Sequence, residues 1–462
     1  MFFKKLKNKK ITVMGLGLQG GGVNIAKWLV KNKAQVLVTD LKNSHQLSSS
    51  LKKLKGLPIK FILGRHRKED FEKADLIVQN PGVPNDSKYL KIAKNNNIPI
   101  ENEAGIFFKI YPGKVIGITG SRGKSTVSYL TYKFLKNKYK RVFLAGNIRI
   151  KSMFEIIDKL KKNDKVILEL SSWQLEGLKK HKLSPKVSLL TNIFPDHLNR
   201  YNSYGDYINA KKNIFKYQKK DDFCILNHDN KICRQMKKEV NSKVLWFSKN
   251  YKTNLNGCFL KKDSIVFKSD SQIVRICKKN DIKLRGLHNL ENVLASVCIA
   301  CIYKIRPNLI KKTISSFSGL EDRLEFIGEI NQVSFYNDTT ATIPEATIYA
   351  LKSFSQKVIL ISGGTDKNLN YKNLANEIKK RVKALILLEG NATDKLRKEL
   401  IKIRFKNILL QTKSIDQAVK VANKVAEKGD IVVLSPAATS FGLFINEFDR
   451  GEKFKKAVYR IK

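Results

Sequence analysis

The 462 residues, 42% of them hydrophobic, exceed what one core usually organises, so two to four globular domains are expected, and with no apolar run of about 18 residues a membrane span is excluded. Lys and Arg outnumber Asp and Glu by 89 to 40, a net charge of +49, yet the basic residues come as short pairs interleaved with Ile, Leu and Asn. That pattern describes a solvated lysine-rich surface, with a field that draws in anionic nucleotides, rather than a nucleic-acid-binding arm. Six scattered Cys, at 224, 233, 258, 277, 298 and 301, frame no short loop and suit a reducing cytoplasm. Cys298 and Cys301 fall inside a helical run from Asn289 to Tyr303 and are expected to be buried thiols, not a metal or redox centre.

The basic start, Met1 to Lys10, resembles the beginning of a signal peptide, but the apolar stretch after it breaks at once into Gly15-Leu-Gly-Leu-Gln-Gly20, a turn. Ile11–Met14 predicts a buried strand, the glycine turn opens a helix running through Val30, and Gln35–Thr39 predicts a second strand ending at Asp40. Strand, glycine turn, helix, strand and acid is the order of a Rossmann-like nucleotide fold. Asp75–Gln79 then leads into Asn80-Pro-Gly82-Val-Pro84, another strand ending in a turn on the same sheet edge.

Lys114–Ile118 predicts a strand, and Thr119-Gly-Ser-Arg-Gly-Lys-Ser-Thr126 after it reads as a phosphate cradle at a helix N-terminus. The amides of Gly120, Ser121, Arg122 and Gly123 face an anion, Lys124 reaches terminal phosphates, and Ser125 or Thr126 ligates Mg²⁺. The spacing departs from the strict P-loop, since Ile118 stands five residues before Gly123 where glycine is required. Strands predicted at Arg141–Asn147, Lys165–Ser172 and Lys186–Ile193 all end in polar residues, as in a mostly parallel sheet whose strand ends meet at one crevice. Glu169, at the end of an otherwise apolar strand, favours Mg²⁺ because a buried carboxylate needs a partner. His197 follows another strand end and, on the residues alone, is a loop histidine with one hydrogen bond. Five further strands, at Val333–Asp338, Val358–Gly364, Ala384–Gly390, Asn407–Leu410 and Asp430–Pro436, alternate with helices. The expected fold is α/β in three domains: residues 1–109 Rossmann-like, 110–319 a central P-loop ATPase-like parallel sheet, and 320–462 a C-terminal Rossmann-like domain.

Thr119–Thr126, Leu168-Glu-Leu-Ser-Ser172, Thr191-Asn-Ile-Phe-Pro-Asp-His197-Leu-Asn-Arg-Tyr201 and Gly286-Leu-His-Asn289-Leu-Glu-Asn292, in this order, resemble the successive signatures of the Mur ligases, ATP-dependent peptide-bond-forming enzymes of peptidoglycan precursor synthesis. The resemblance covers nearly the whole chain. The glycine turn with Asp40 and the segment Leu434–Ser440 look most like the members that add D-glutamate to UDP-N-acetylmuramoyl-L-alanine. It implies that Leu18, Gln19, Asp40, Leu41, Asn80, Gly82 and Asn147 bind the UDP-sugar. ATP falls to residues 120–126 with Asn289, Asn292, Arg323 and Asp338, and the incoming amino acid to Thr342, Lys367 and Ser440. Catalysis falls to Lys124, Glu169, His197 and Lys211. Two Mg²⁺ ions are implied, held by Ser125, Thr126 and Glu169 on one side and by His197 and Lys211 on the other. Lys211 would serve as a CO₂-derived carbamate, because an ammonium cannot ligate a cation. The implied partners are ATP, UDP-N-acetylmuramoyl-L-alanine and glutamate, with no specific nucleic acid, in a cytoplasmic monomer.

The chain departs from the family at several positions. Thr340 stands where Lys is usual in Asn337-Asp-Thr-Thr-Ala-Thr342, Asp322 where His precedes Arg323, Arg122 where Asn is usual, and Arg149 where Gly is usual; Glu447 and Phe448 are the candidates for a shifted aromatic contact near Ser440. L-glutamate as substrate, and another amide ligase of the superfamily such as a polyglutamate synthase, therefore stay open. A P-loop ATPase that binds nucleic acid is the reading from a different class, and it requires hydrolysis stimulated by DNA or RNA.

Overall fold

The computed structural model describes residues 6–18, 20–148, 151–196 and 200–461. The expectations placed on Gln19, Arg149 and His197 lie outside the described residues. The chain is α/β and carries three sheets. It packs as two compact units, Met1–Asp196 with Ser203–Cys277 and Leu294–Ile310, and His197–Asn202 with Lys278–Val293 and Lys311–Lys462.

The first unit holds two of the sheets. One contains β1 (Lys10–Met14), β2 (Gln35–Asp40), β3 (Ile59–Leu63), β4 (Leu76–Gln79) and β5 (Ile100–Glu101), all parallel, in the order β3-β2-β1-β4-β5. The order reverses between β1 and β4, and the turns after these two strands are Gly15–Gly20 and Asn80–Val83. Ligands of open parallel sheets bind at such a switch point, beyond the carboxyl ends of the strands. Helix Gly21–Lys31 covers the sheet with Val23, Ile25, Ala26, Trp28 and Leu29, the face that its apolar spacing dictates.

The other sheet contains β6 (Val115–Thr119), β7 (Val142–Gly146), β8 (Lys165–Glu169), β9 (Val187–Leu190), β10 (Phe223–Asn227), β11 (Lys243–Ser248), β12 (Gly257–Lys261), β13 (Ser264–Ser269) and β14 (Gln272–Lys278). Its order is β14-β13-β12-β11-β10-β9-β6-β8-β7, parallel from β7 through β12, with the β12–β13 pair antiparallel. The strands next to β6 are buried almost throughout, as apolar runs flanked by helices should be. The thiols of Cys258 and Cys298 are fully buried in this unit, and burial raises the pKa of Cys258 and Cys301, which makes them inert core groups.

Between the two sheets of this unit stands Glu103, on helix Glu103–Ile110. Its carboxylate accepts from Met153 N at 3.1 Å and Gln174 Nε2 at 3.2 Å, and burial pushes its pKa up to about 7. Asn102 and Trp28 reinforce the same join, donating to Trp173 O at 2.9 Å and Asp158 Oδ1 at 3.2 Å.

The second unit is built on β15 (Glu325–Ile330), β16 (Val333–Asn337), β17 (Val358–Gly363), β18 (Val382–Leu388), β19 (Ile408–Thr412) and β20 (Ile431–Leu434). The order is β15-β16-β20-β17-β18-β19, with only β15 antiparallel to its neighbour. One core cluster lies on each face, around Leu360, Leu385 and Leu387 on one side and Ile359, Ile361 and Ile386 on the other, the alternation that a strand covered on both faces imposes.

Candidate active site

The loop after β6 emerges between two strand ends, because the register sets Ile118 opposite Glu169 on β8 and Thr119 opposite Leu190 on β9. Gly120 turns it with φ 145°, and a Cβ there would lie 1.9 Å from Thr191 Oγ1, so no other residue fits. Gly123, at φ 83°, starts helix Lys124–Lys136 with no side-chain cap and no acid in the first turn. The first-turn amides are thus left to face an anion. Asn192 clamps the loop by accepting from Ser121 N through its carbonyl and from Arg122 N through Oδ1, each at 2.9 Å. Ser121 Oγ is taken by Phe194 N and the Tyr207 hydroxyl, each at 2.9 Å. Lys124 Nζ curls back onto Gly120 O at 3.0 Å and Ser121 O at 3.1 Å, which keeps the ammonium inside the cradle. Ser125 and Thr126 are buried at its floor.

Glu169 ends β8 at 2% exposure. Oε1 accepts from Asn147 Nδ2 at 3.3 Å, whereas Oε2 is buried with no hydrogen-bond partner. An orphaned buried acceptor costs about 1–3 kcal/mol, more when charged, so a hard cation is the group this oxygen suits. Lys211, on helix Tyr204–Lys212, is equally buried, and its Nζ donates to Thr119 Oγ1 at 3.2 Å and lies 4.9 Å from the Tyr207 ring centre. Burial first, then the charges of Lys124 and Arg122, hold the Lys211 pKa well below its usual value, against the pull of Asp196 and Glu169. Burial therefore favours the uncharged amine, the form that is nucleophilic.

At the switch point of the first sheet, Asp40 ends β2 beside the glycine turn. Its Oδ2 accepts from Leu16 N at 2.8 Å and Gly17 N at 3.1 Å, and Oδ1 from Lys42 N at 2.9 Å, so the carboxylate shapes the glycine turn. Asn80 ties the second turn to the first through Nδ2 to Gly15 O at 2.7 Å. Leu18 is half-buried beside them, Gly82 is exposed, and Leu41 is 67% exposed. Asn147 sits instead at the end of β7, on the phosphate-loop sheet, with its N donating to Glu169 O at 2.8 Å.

In the second unit, Asn289 and Arg323 line one cavity of about 390 Å³ together with Arg285, Phe326, Glu329 and Tyr336. Its size suits a small ligand, and the Arg285 guanidinium lies 5.5 Å from the Tyr336 ring centre. Asn292 is buried and donates to Asn289 Oδ1 at 3.0 Å, so it orients Asn289 rather than sharing an open edge with it. Asp338 likewise accepts from Leu324 N at 3.1 Å and Ser435 Oγ at 2.9 Å. Lys367 Nζ donates to Thr342 Oγ1 at 3.3 Å, and Ser440 Oγ is buried without a hydrogen-bond partner. Two of the unusual residues prove to be partners: Thr340 Oγ1 donates at 2.9 Å to the carbonyl of Asp322, whose carboxylate accepts from Asn337 Nδ2 at 2.8 Å.

Sequence reasoning missed several residues. Tyr207 stands one helical turn before Lys211, a position that helical periodicity could have flagged, and Thr119 opens the loop motif but was given no role of its own. Arg450 gave no such signal. It is fully buried in helix Glu447–Arg460, bonded to Thr339 and Ala438, and burial lowers its pKa to about 10. Phe441, 60% exposed directly after Ser440, is an aromatic nearer to that residue in sequence than Phe448.

Residues 9–102 match the Mur ligase MurD-like N-terminal domain, 118–300 the Mur ligase middle domain, and 322–438 the Mur ligase glutamate ligase domain. Among curated proteins, the chain is 41% identical to the UDP-N-acetylmuramoylalanine–D-glutamate ligase of Roseiflexus sp., covering 98% of this chain and 99% of that one. It is 38% identical to the ligase of the same name from Acetivibrio thermocellus, covering 100% and 98%. Among solved structures, UDP-N-acetylmuramate-alanine ligase MurC from Thermotoga maritima shares the fold at a TM-score of 0.63, 18% identity, and coverage of 98% and 100%. Full-length identity at this level shows that the chain belongs to the Mur ligases, a family of ATP-dependent amide-forming enzymes.

Proposed function

We propose that this ligase joins D-glutamate to UDP-N-acetylmuramoyl-L-alanine in peptidoglycan precursor synthesis, as the names of its relatives indicate for them. The observation that supports the chemistry is the meeting of an uncapped phosphate loop, an orphaned buried carboxylate and a buried lysine amine at the ends of adjacent strands. A carboxylate oxygen of the alanyl group attacks the γ-phosphorus of ATP, the bond to the β–γ bridging oxygen breaks, and ADP leaves with the electron pair. The glutamate amine then adds to the acyl carbon, loses a proton, and the tetrahedral intermediate expels phosphate to leave the amide. Lys124 and the amides of residues 123–126 hold the β and γ phosphates against the charge gathered between two anions, in a cradle that Gly120, Ser121 and Arg122 shape.

Ser125, Thr126 and Glu169 suit one Mg²⁺, and Lys211 as a carbamate with His197 a second; bound there, the ions neutralise phosphate charge. Asn289 and Arg323 take the adenosine side of ATP in their cavity, with Asn292 and Asp338 bracing them. Leu18, Gln19, Asp40, Leu41, Asn80, Gly82 and Asn147 take the UDP-sugar, Asp40 and Asn80 also fixing the turns beside it. Lys367, Thr342 and Ser440 offer a cation and hydroxyls to the carboxylates of glutamate. On this reading residues 1–109 serve the UDP-sugar, 110–319 chiefly ATP, and 320–462 the amino acid, in a cytoplasmic monomer. The test supplies ATP and UDP-N-acetylmuramoyl-L-alanine with either D- or L-glutamate and weighs the product by mass spectrometry. Product is expected with the D form; product with L-glutamate alone would reject the assignment.

A further inference from the structure

Arg122 departs from its family's loop, and its backbone is fixed on both sides. The N donates to Asn192 Oδ1 at 2.9 Å, and the carbonyl accepts from Thr191 Oγ1 and from Asn192 Nδ2, the latter at 3.3 Å. The side chain leaves this clamp only 24% exposed, with Nε and Nη2 buried and without a hydrogen-bond partner. Asp196 Oδ2 is 4.0 Å from Nη2, too far for a hydrogen bond. Arg141 in the same unit shows what a structural pair looks like, with Nε and Nη2 donating to both oxygens of Asp164 at 2.7 and 2.8 Å. The charge of Arg122 also acts on the Lys211 amine together with those of Lys124, Asp196 and Glu169. Two oriented, desolvated donors of a planar fork, held beside a phosphate cradle, are arranged for oxygens of an anion.

We infer that the Arg122 guanidinium contacts the phosphoryl group in flight between ATP and the substrate carboxylate, an inference that rests on the ligase function proposed above. As the carboxylate oxygen bonds to the γ-phosphorus and the bridging oxygen departs with ADP, Nε–H and Nη2–H donate to the equatorial phosphoryl oxygens. No proton is transferred, and the guanidinium stays charged throughout.

The test uses Arg122→Asn and Arg122→Lys in the full-length chain. With Asn, kcat for glutamate-dependent phosphate release is expected to fall about 10²-fold, with the KM for ATP within about threefold of wild type; Lys should recover part of the rate. The separate readout is affinity for ADP with aluminium fluoride, in the presence of UDP-N-acetylmuramoyl-L-alanine, against affinity for ADP alone. Selective weakening of the fluoride complex, by about tenfold or more, is expected. Equal weakening of both ligands, or of neither, would mean a structural Arg122 and overturn the inference. If the Asn variant fails to fold, the same comparison on the Lys variant decides, since an ammonium keeps the charge and loses the fork. A wild-type chain that releases no phosphate with all three substrates overturns the ligase function and this inference with it, and is recognised by the wild type itself failing.

Discussion

Lys211→Ala is expected to lower D-glutamate-dependent phosphate release by about 10²- to 10³-fold. A lysine at 2% exposure, its Nζ donating to Thr119 Oγ1 and its pKa driven well below the usual range, is an expensive way to hold a helix in place. The same environment is what a carbamate requires. The neutral amine nitrogen bonds to the carbon of CO₂ and loses a proton, and the resulting anionic oxygens sit near Lys124 and Arg122. Since alanine also leaves a cavity, the functional loss must be separated from a packing loss. Partial recovery by acetate or formate, which can place a carboxylate in the vacated space, makes that separation. Activity near the wild-type level, or a wild type indifferent to removal of CO₂, would end the carbamate assignment.

Glu169→Gln should lower kcat by about 10²-fold and raise the Mg²⁺ concentration needed for half-maximal rate. The amide keeps the shape of the side chain and an acceptor for Asn147 Nδ2, so what is removed is the charge on the orphaned oxygen. Without Mg²⁺ and nucleotide the variant should melt higher than wild type, because an uncompensated buried carboxylate opposes folding. A structural Glu169 makes the opposite prediction: lower stability in the Gln variant and an unchanged Mg²⁺ requirement.

The phosphate loop was legible because strand, glycines and helix start are all local signals, and the structure sets Gly120 and Gly123 at positive φ in that order. What was not legible depended on partners distant in sequence. Asp40 stands where a ribose-binding acid belongs in a Rossmann-like fold, and only the folded loop reveals Leu16 N and Gly17 N as its partners. The β12–β14 meander escaped notice because its two-residue turns, Lys262-Asp263 and Asp270-Ser271, lack the glycine or asparagine that marks a hairpin. Lys262 and Asp270 nevertheless adopt φ 54° and 52° there. The hairpin into β16 passed unseen for a related reason, since Gln332 takes φ 62° beside Asn331 at 50° without a glycine. Asp322 and Thr340 read as unrelated departures along the chain and become one hydrogen-bonded unit in space.

The central claim is that ATP activates the alanyl carboxylate by phosphorylating it, and an isotope decides it directly. With UDP-N-acetylmuramoyl-L-alanine labelled with oxygen-18 in that carboxylate, together with ATP and D-glutamate, the inorganic phosphate released should carry a single labelled oxygen for each amide formed. Phosphate free of label, or phosphate released without the UDP-sugar on addition of nucleic acid, would contradict it.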